Sequence, residues 1–342
     1  MSVRVLVLLM FLSGPTFAQG FAGLGASSEG YALPDPEMRL QFPADHGAHP
    51  EFRIEWWYVT ANLKGDDGED YGLQWTLFRN ALAPTGDDRD QAWMAHAAVS
   101  APDGHRHAER LARGGIGQAG VTGEPFRAFI DEWVVEGPSL SDIRIYAQGT
   151  DFAYDITAMT DRPFVPQGSV GFSVKSEAGQ ASHYYSQPFY EVGGSLTFPD
   201  RTVAVTGRAW LDREWSSTPL TETQTGWDWI SLHFNSGEKL MGYRLRDEAG
   251  DTYTVGTWIS PKGSPQPLKP GQLVMTAQGT SDVAGRTVPT TWQVVLPDKD
   301  FEATVETIYP DSWMDTLVPY WEGPVTVKGT HDGIGYLEMS GY

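Results

Sequence analysis

From residue 42 onward, apolar and polar positions alternate with a period of two in one short run after another. That is the pattern of strands with one buried face. Residues 54–63 and 71–79 flank Lys64-Gly65-Asp66-Asp67-Gly68-Glu69, a hairpin turn rich in Gly and Asp. Further strands are predicted at 93–100, 128–136, 142–148, 152–159, 193–198, 202–210, 227–234, 239–247, 253–259, 290–296, 303–308, 325–330 and 336–341. Residues 193–198 and 202–210 should pair across Pro199-Asp200. Helical periodicity is scarce, and 106–113 is the best short helix candidate. Many antiparallel strands with few helices imply an all-β fold of sandwiches or barrels. The strand count exceeds one small barrel of about eight strands, so two barrels are expected.

A weak internal echo points the same way. Glu55-Trp56-Trp57-Tyr58-Val59 leads through a turn to Gly72-Leu73-Gln74-Trp75-Thr76-Leu77-Phe78-Arg79. Gly226-Trp227-Asp228-Trp229-Ile230 leads through Asn235-Ser236-Gly237 to Leu240-Met241-Gly242-Tyr243-Arg244-Leu245-Arg246. In both, an acidic-aromatic strand enters a hairpin whose second strand ends at an Arg. These read as the opening hairpins of two related barrels. The Ser/Thr/Pro-rich run at 216–224 marks the boundary, giving domains at 42–220 and 221–342.

Composition adds a compartment and removes some partners. The first residues, MSVRVLVLLMFLSGPTFAQG, carry Arg4, an apolar run and Thr16-Phe17-Ala18. They read as a signal peptide over 1–18, cut after Ala18, with a flexible Gly/Ser/Ala-rich lead-in over 19–41. The expectation is a periplasmic or secreted protein that is not integral to a membrane, since no apolar run is long enough to span one. There are no cysteines, so neither disulfides nor thiol chemistry enter. The net charge is −20, which repels nucleic acid and anionic headgroups. The 13 tryptophans favour aromatic sheets or an apolar pocket.

Candidate chemistry gathers in GRAWLDREWSSTPL, residues 207–220. On a strand, Trp210, Asp212 and Glu214 share one face, while Leu211, Arg213 and Trp215 share the other. A carboxyl group held against indole in a dry pocket has a raised pKa and can act as an acid near neutral pH. The alternative is ion pairing with Arg208 or Arg213 that merely fixes a crossover. Glu55 and Trp57 face one way from their strand, Trp56 and Tyr58 the other, and one pair should line a barrel interior. Trp227, Trp229, Ser231 and His233 make an amphipathic wall suited to a ligand. His96, in mid-strand, is either a hydrogen-bonded core residue or a general acid/base. No metal site is expected from His105 and His107, nor from His46 and His49 with Asp45 and Glu51. Gly-x-Ser-x-Gly, His-Glu-x-x-His and phosphate-binding loops are absent from the sequence.

Several segments together resemble the AttH-like proteins related to carotenoid 1,2-hydratase. They are Phe42-Pro43-x-Asp45-His46-Gly47-x-His49-Pro50-x-Phe52-Arg53-x-Glu55-Trp56-Trp57-Tyr58-Val59, His96-Ala97-Ala98-Val99, Ser182-x-Tyr184-Tyr185-Ser186, Ala209-Trp210-Leu211-Asp212-Arg213-Glu214-Trp215-Ser216, Tyr320-Trp321-Glu322-Gly323 and Gly335-Tyr336-Leu337-Glu338-Met339-Ser340-Gly341-Tyr342. The resemblance implies two lipocalin-like barrels side by side. Three functions are expected in turn. The first, from the aromatic strands, the export signal and the absence of an evident nucleophile, is binding of an apolar, isoprenoid or lipid-like ligand in an aromatic-lined barrel. The second is cofactor-free hydration of an isolated double bond, and the third is accessory work for an ABC transporter. On the hydratase reading, Asp212 or Glu214 is the acid and His96 or Tyr185 orients water. The ligand wall is then drawn from Glu55, Trp57, Tyr185, Trp210, Trp215, Trp227 and Trp229.

Overall fold

A computed structural model describes residues 27–342; the expected signal peptide lies outside them. Among the described residues, the first sheet holds β1 (Ile54–Gly65), β2 (Asp70–Ala81), β3 (Gln91–Ala101), β4 (Gly104–Arg113), β5 (Ala119–Thr122), β6 (Phe126–Ile130), β7 (Trp133–Ser139), β8 (Asp142–Gln148), β9 (Ala153–Met159), β10 (Val165–Pro166), β11 (Phe172–Val174), β12 (Ala181–Thr197) and β13 (Thr202–Ser216). The second holds β14 (Gln224–Phe234), β15 (Lys239–Asp247), β16 (Thr252–Ile259), β17 (Pro265–Pro267), β18 (Val274–Val283), β19 (Arg286–Leu296), β20 (Phe301–Thr307), β21 (Trp313–Met314), β22 (Tyr320–Gly329) and β23 (Gly333–Ser340). Both sheets are antiparallel; the first is a near-closed barrel and the second a half-barrel, in a lipocalin-like arrangement.

The two opening hairpins are topological counterparts. β1 pairs with β2 on one side and with β13, the last strand of its sheet, on the other. β14 likewise pairs with β15 and with the last strand, β23. The acidic residue of each opening strand meets an arginine of the next: Glu55 lies opposite Arg79, and Asp228 opposite Arg244. Two sequence expectations need correction. Residues 106–113 form most of β4 and pair with β3 from Ala92↔Arg113 to Ala101↔Gly104. Local helix propensity there yields to the open edge of β3. Residues 128–136 are not one strand, because Asp131 turns the chain at φ 51° between β6 and β7, a conformation that Asp tolerates.

Alternation assigns the faces. Inward residues such as Trp57, Val59, Trp75, Leu77, Ile145 and Leu211 fill the first barrel, leaving it packed rather than hollow. Ile230, Leu232, Phe234, Trp292, Val294 and Leu337 form a separate core in the half-barrel. Each such side chain contributes roughly 1.5–3 kcal/mol when fully buried. The outer faces of β1 and β2 press against β22 and β23. Gly72 permits this approach: a Cβ there would lie 2.5 Å from Pro324 and 2.9 Å from the Tyr336 hydroxyl. Asn62 Nδ2 donates to the Gly335 carbonyl at 2.7 Å across the same seam. Part of the lead-in is also tied down, with Ala32 N donating to the Glu51 carbonyl and Ser217 Oγ to the Ala32 carbonyl.

Candidate active site between the two sheets

An aromatic-lined cavity lies between the sheets, not inside either barrel. Its volume is about 200 Å³, more than the roughly 150 Å³ of an apolar cavity that admits benzene. Two files of register neighbours on the barrel's outer face build one wall. The polar file runs Ser186, Asp212, Tyr58, Thr76, His96, Glu109 across β12, β13, β1, β2, β3 and β4. The adjacent file runs Tyr184, Glu214, Trp56, Phe78, Met94, Leu111. The facing wall comes from Trp227, Trp229, Tyr243, Leu245, Tyr320 and Glu338 of the second sheet.

Asp212 and Glu214, two residues apart on one strand face, have different surroundings. Asp212 is buried and accepts hydrogen bonds from neutral donors: Ser186 Oγ, and Trp210 Nε1 at 2.8 Å. Burial pushes its carboxyl up to about 7, against hydrogen bonds from Ser186, Trp210 and Tyr184 that pull it down. Glu214 is ion-paired with Lys175 Nζ at 2.7 Å and accepts from Ser182 Oγ. The Lys175 ammonium also lies 4.9 Å from the Tyr184 ring centroid and 4.3 Å from that of Tyr243. Across the cavity, Glu338 accepts from Trp227 Nε1 at 2.5 Å and is also pushed up to about 7 by burial. Tyr58 donates to Glu322 Oε2 at 2.7 Å, and burial beside Glu338 keeps the Glu322 carboxyl well above the usual range.

Of the residues singled out from sequence, Asp212, Glu214, His96, Trp227 and Trp229 line this cavity. Trp210 stands beside it, donating to Asp212. Glu55, Trp57, Tyr185 and Trp215 do not reach it: all four point into the first barrel. There Glu55 is paired with Arg79 and Arg213, Trp57 Nε1 donates to the His46 carbonyl, and the Tyr185 hydroxyl lies 2.7 Å from His46 Nδ1. The Trp215 ring stacks on His49 at 4.1 Å. The expected aromatic-lined barrel interior is therefore a packed core, and Tyr184, one residue from Tyr185, takes the cavity position. Lys175 carries no signal in the sequence; Tyr320, Glu322 and Glu338 stand in the family segments without an assigned role, and Tyr58 belongs with Trp56 to the face of β1 that turns out of the barrel. Among the described residues, no group of three or more His, Asp or Glu is arranged to hold a metal ion, and no helix is long and apolar enough to cross a membrane.

The AttH-like family profile matches residues 33–342. The chain belongs to the AttH-like family. The crystal structure of an AttH-type protein from Nitrosomonas europaea superposes with a TM-score of 0.83 at 33% identity, covering 91% of this chain and 99% of that one. Kievitone hydratase from Nectria haematococca shares the fold, with a TM-score of 0.67 at 17% identity over 90% of this chain and 97% of that one. No curated protein matches. The match of this AttH-like chain spans both sheets, so the cavity between them lies wholly within the matched region.

Proposed function

We propose that this AttH-like protein is exported, holds an apolar isoprenoid- or lipid-like molecule between its two sheets, and adds water to an isolated carbon–carbon double bond in it without a cofactor. One observation carries the reading. Asp212 is a buried carboxyl group facing an aromatic cavity and hydrogen-bonded by neutral groups alone. With its carboxyl pushed up to about 7, such a group is still protonated in a large fraction of molecules at neutral pH and can give that proton to an alkene carbon. The developing carbocation would face Trp56, Trp227, Trp229 and Tyr184, whose π-faces attract positive charge. Water then forms the C–O bond and passes one proton to Glu214, which Lys175 retains as an ion-pair partner. Return of that proton to Asp212 resets the site, so the sum is alkene plus water to alcohol. Kievitone hydratase, on the same fold, makes a hydratase a natural candidate.

The test is turnover of isoprenoid alkenes such as geraniol, with the alcohol product identified by gas chromatography and mass spectrometry. Asp212→Asn should lose about 100-fold or more in rate. Unchanged turnover in that variant would remove Asp212 as the acid. Tight binding by the wild type with no alcohol formed would make the protein a carrier.

A further inference from the structure

The polar file of the cavity wall ends in a hydrogen-bonded chain that the hydration step does not use. Tyr320 and His96 both line the cavity, and their rings stack at 5.5 Å. His96 Nδ1 lies 2.9 Å from the Tyr320 hydroxyl, and His96 Nε2 lies 3.1 Å from Glu109 Oε1. Glu109 is partly exposed, with 25% of its side chain open to solvent, whereas the His96 side chain is 1% exposed. The same Oε1 accepts from Leu317 N at 3.0 Å, which fixes the carboxylate. The three groups join both domains, since His96 and Glu109 belong to the first sheet and Tyr320 to the second.

Proton positions in this chain follow from the donor and acceptor inventory. The hydrogen bond from His96 holds the Glu109 carboxyl below its usual range, so it is an acceptor only. Nε2 must therefore carry the His96 proton. Burial lowers the His96 pKa and keeps the ring neutral, so Nδ1 is a bare acceptor. The Tyr320 hydroxyl then donates to Nδ1, and its oxygen can only accept from anything in the cavity. His96 is three strands from Asp212 in the same register file, which places their backbones ~14 Å apart at the usual strand spacing. The two polar centres thus stand apart along one wall of the cavity, with Tyr58 and Thr76 between them and aromatic rings on the adjacent file and the facing wall.

We propose that Tyr320, oriented by His96 and Glu109, is a recognition site for a hydroxyl group at the far end of an elongated apolar ligand. It selects alcohols over ethers and aldehydes of the same skeleton. A site built to pair with a hydroxyl leaves its own buried acceptor unmatched when the ligand has no proton to give. The inference rests on the ligand-holding part of the proposed function and is independent of the hydration step.

The experiment measures equilibrium binding of geraniol, geranyl methyl ether and citral by titration calorimetry. It uses the wild type and the Asp212→Asn protein, in which turnover is removed. Geraniol should bind about tenfold tighter than the ether, the worth of one buried hydrogen bond. Tyr320→Phe should erase that difference while leaving ether affinity intact, which also reports that the cavity is still folded. Glu109→Gln has a more specific expected effect. An amide at this position can donate to Nε2, letting Nδ1–H donate to the Tyr320 oxygen and freeing the Tyr320 proton for the cavity. The preference should then move towards the ether and the aldehyde. A merely structural chain would not produce that move. Equal wild-type affinities, no binding of any probe, or an alcohol preference that survives in Tyr320→Phe would each overturn the proposal. Loss of the hydration reading would show instead as unchanged turnover in Asp212→Asn.

Discussion

Glu55 and Asp212 are both buried carboxyl groups near tryptophan, on paired strands, yet their environments oppose each other. Glu55 points into the first barrel and meets Arg79, Arg213 and His49. Burial alone would raise its pKa; the two guanidinium groups overcome this and hold it well below the usual carboxylate range. Asp212 points out of the same barrel into the cavity, meets hydroxyl and indole donors, and is pushed up to about 7. The contrast is set by strand parity. Arg213 turns inward to serve Glu55, while its neighbours Asp212 and Glu214 turn outward. A buried charge that is matched closes the end of a core. A buried carboxyl group that is unmatched keeps a proton, and in a cavity that proton is available for chemistry.

The sharpest way to break this comparison is to remove the matched charge. Glu55→Gln leaves Arg79 and Arg213 buried without their shared carboxylate, so it should destabilise the fold by about 3–5 kcal/mol. Urea unfolding followed by tryptophan fluorescence measures this. Asp212→Asn, tested in parallel, removes no ion pair and should leave the midpoint unchanged or raise it. If Asp212→Asn proved the costlier of the two, Asp212 would be a structural group and the distinction would collapse.

The next effect is a pH dependence of stability. A carboxyl group whose folded pKa is raised contributes stability that is complete below its unfolded pKa, near 3.8 for Asp212, and lost as pH rises through about 7. Glu338, raised to about 7 from 4.5, acts in the same direction. Each should cost on the order of 1–4 kcal/mol between pH 4 and pH 8. Glu55 has the opposite sign: its contribution is present above the ordinary glutamate pKa and is lost only in strong acid. Buried histidines with lowered pKa, such as His46, His183 and His233, act in the opposite direction, so the readout is the difference between wild type and variant. The stability of the wild type relative to Asp212→Asn should fall as pH rises from 4 to 8, and should fall further relative to Asp212→Asn/Glu338→Gln. A difference that stays constant or rises over this range would contradict the assignment.

The parity that separates these two carboxyl groups was legible in the sequence, and so were most strands and the correspondence of the two opening hairpins. Trp210-Leu211-Asp212-Arg213-Glu214-Trp215 alternates as a strand must, so the two faces could be separated correctly. Alternation does not say which face fills the barrel. The sequence alone therefore leaves Glu55, Trp57, Tyr185 and Trp215 as candidates for a ligand wall, whereas they belong to the packed core. The facing wall was harder to see for a different reason. Lys175 arrives from a segment outside the strands to pair with Glu214. Glu338 and Tyr320 arrive from strands more than a hundred residues after β13 begins. No local period links these positions to Asp212; Tyr320 and Glu338 arrive only through the docking of the second sheet, at contacts such as Gly72, Asn62 and Tyr58–Glu322. His96 shows both limits at once. Its burial could be expected from its strand, but its partners Tyr320 and Glu109 lie on two different sheets.

The smallest predicted effect tunes Asp212 without removing it. The Tyr184 hydroxyl is one of the neutral donors that hold the Asp212 pKa down, and Trp229 Nε1 in turn donates to that hydroxyl at 3.3 Å. Tyr184→Phe deletes one hydrogen bond to the charged form of Asp212 and adds no charge. The Asp212 pKa should therefore rise further, by up to about one unit for a bond worth roughly 0.5–1.5 kcal/mol. For a reaction that needs the protonated acid, activity falls as pH rises through that pKa. The alkaline limb of the rate profile should accordingly move to higher pH in Tyr184→Phe, with the plateau below it little altered. Tyr185→Phe, one residue away, changes a hydroxyl inside the packed barrel beside His46 and should leave the limb in place. A limb that moved equally in both variants would show that the cavity and the core are electrostatically one environment, and strand parity would no longer divide chemistry from packing.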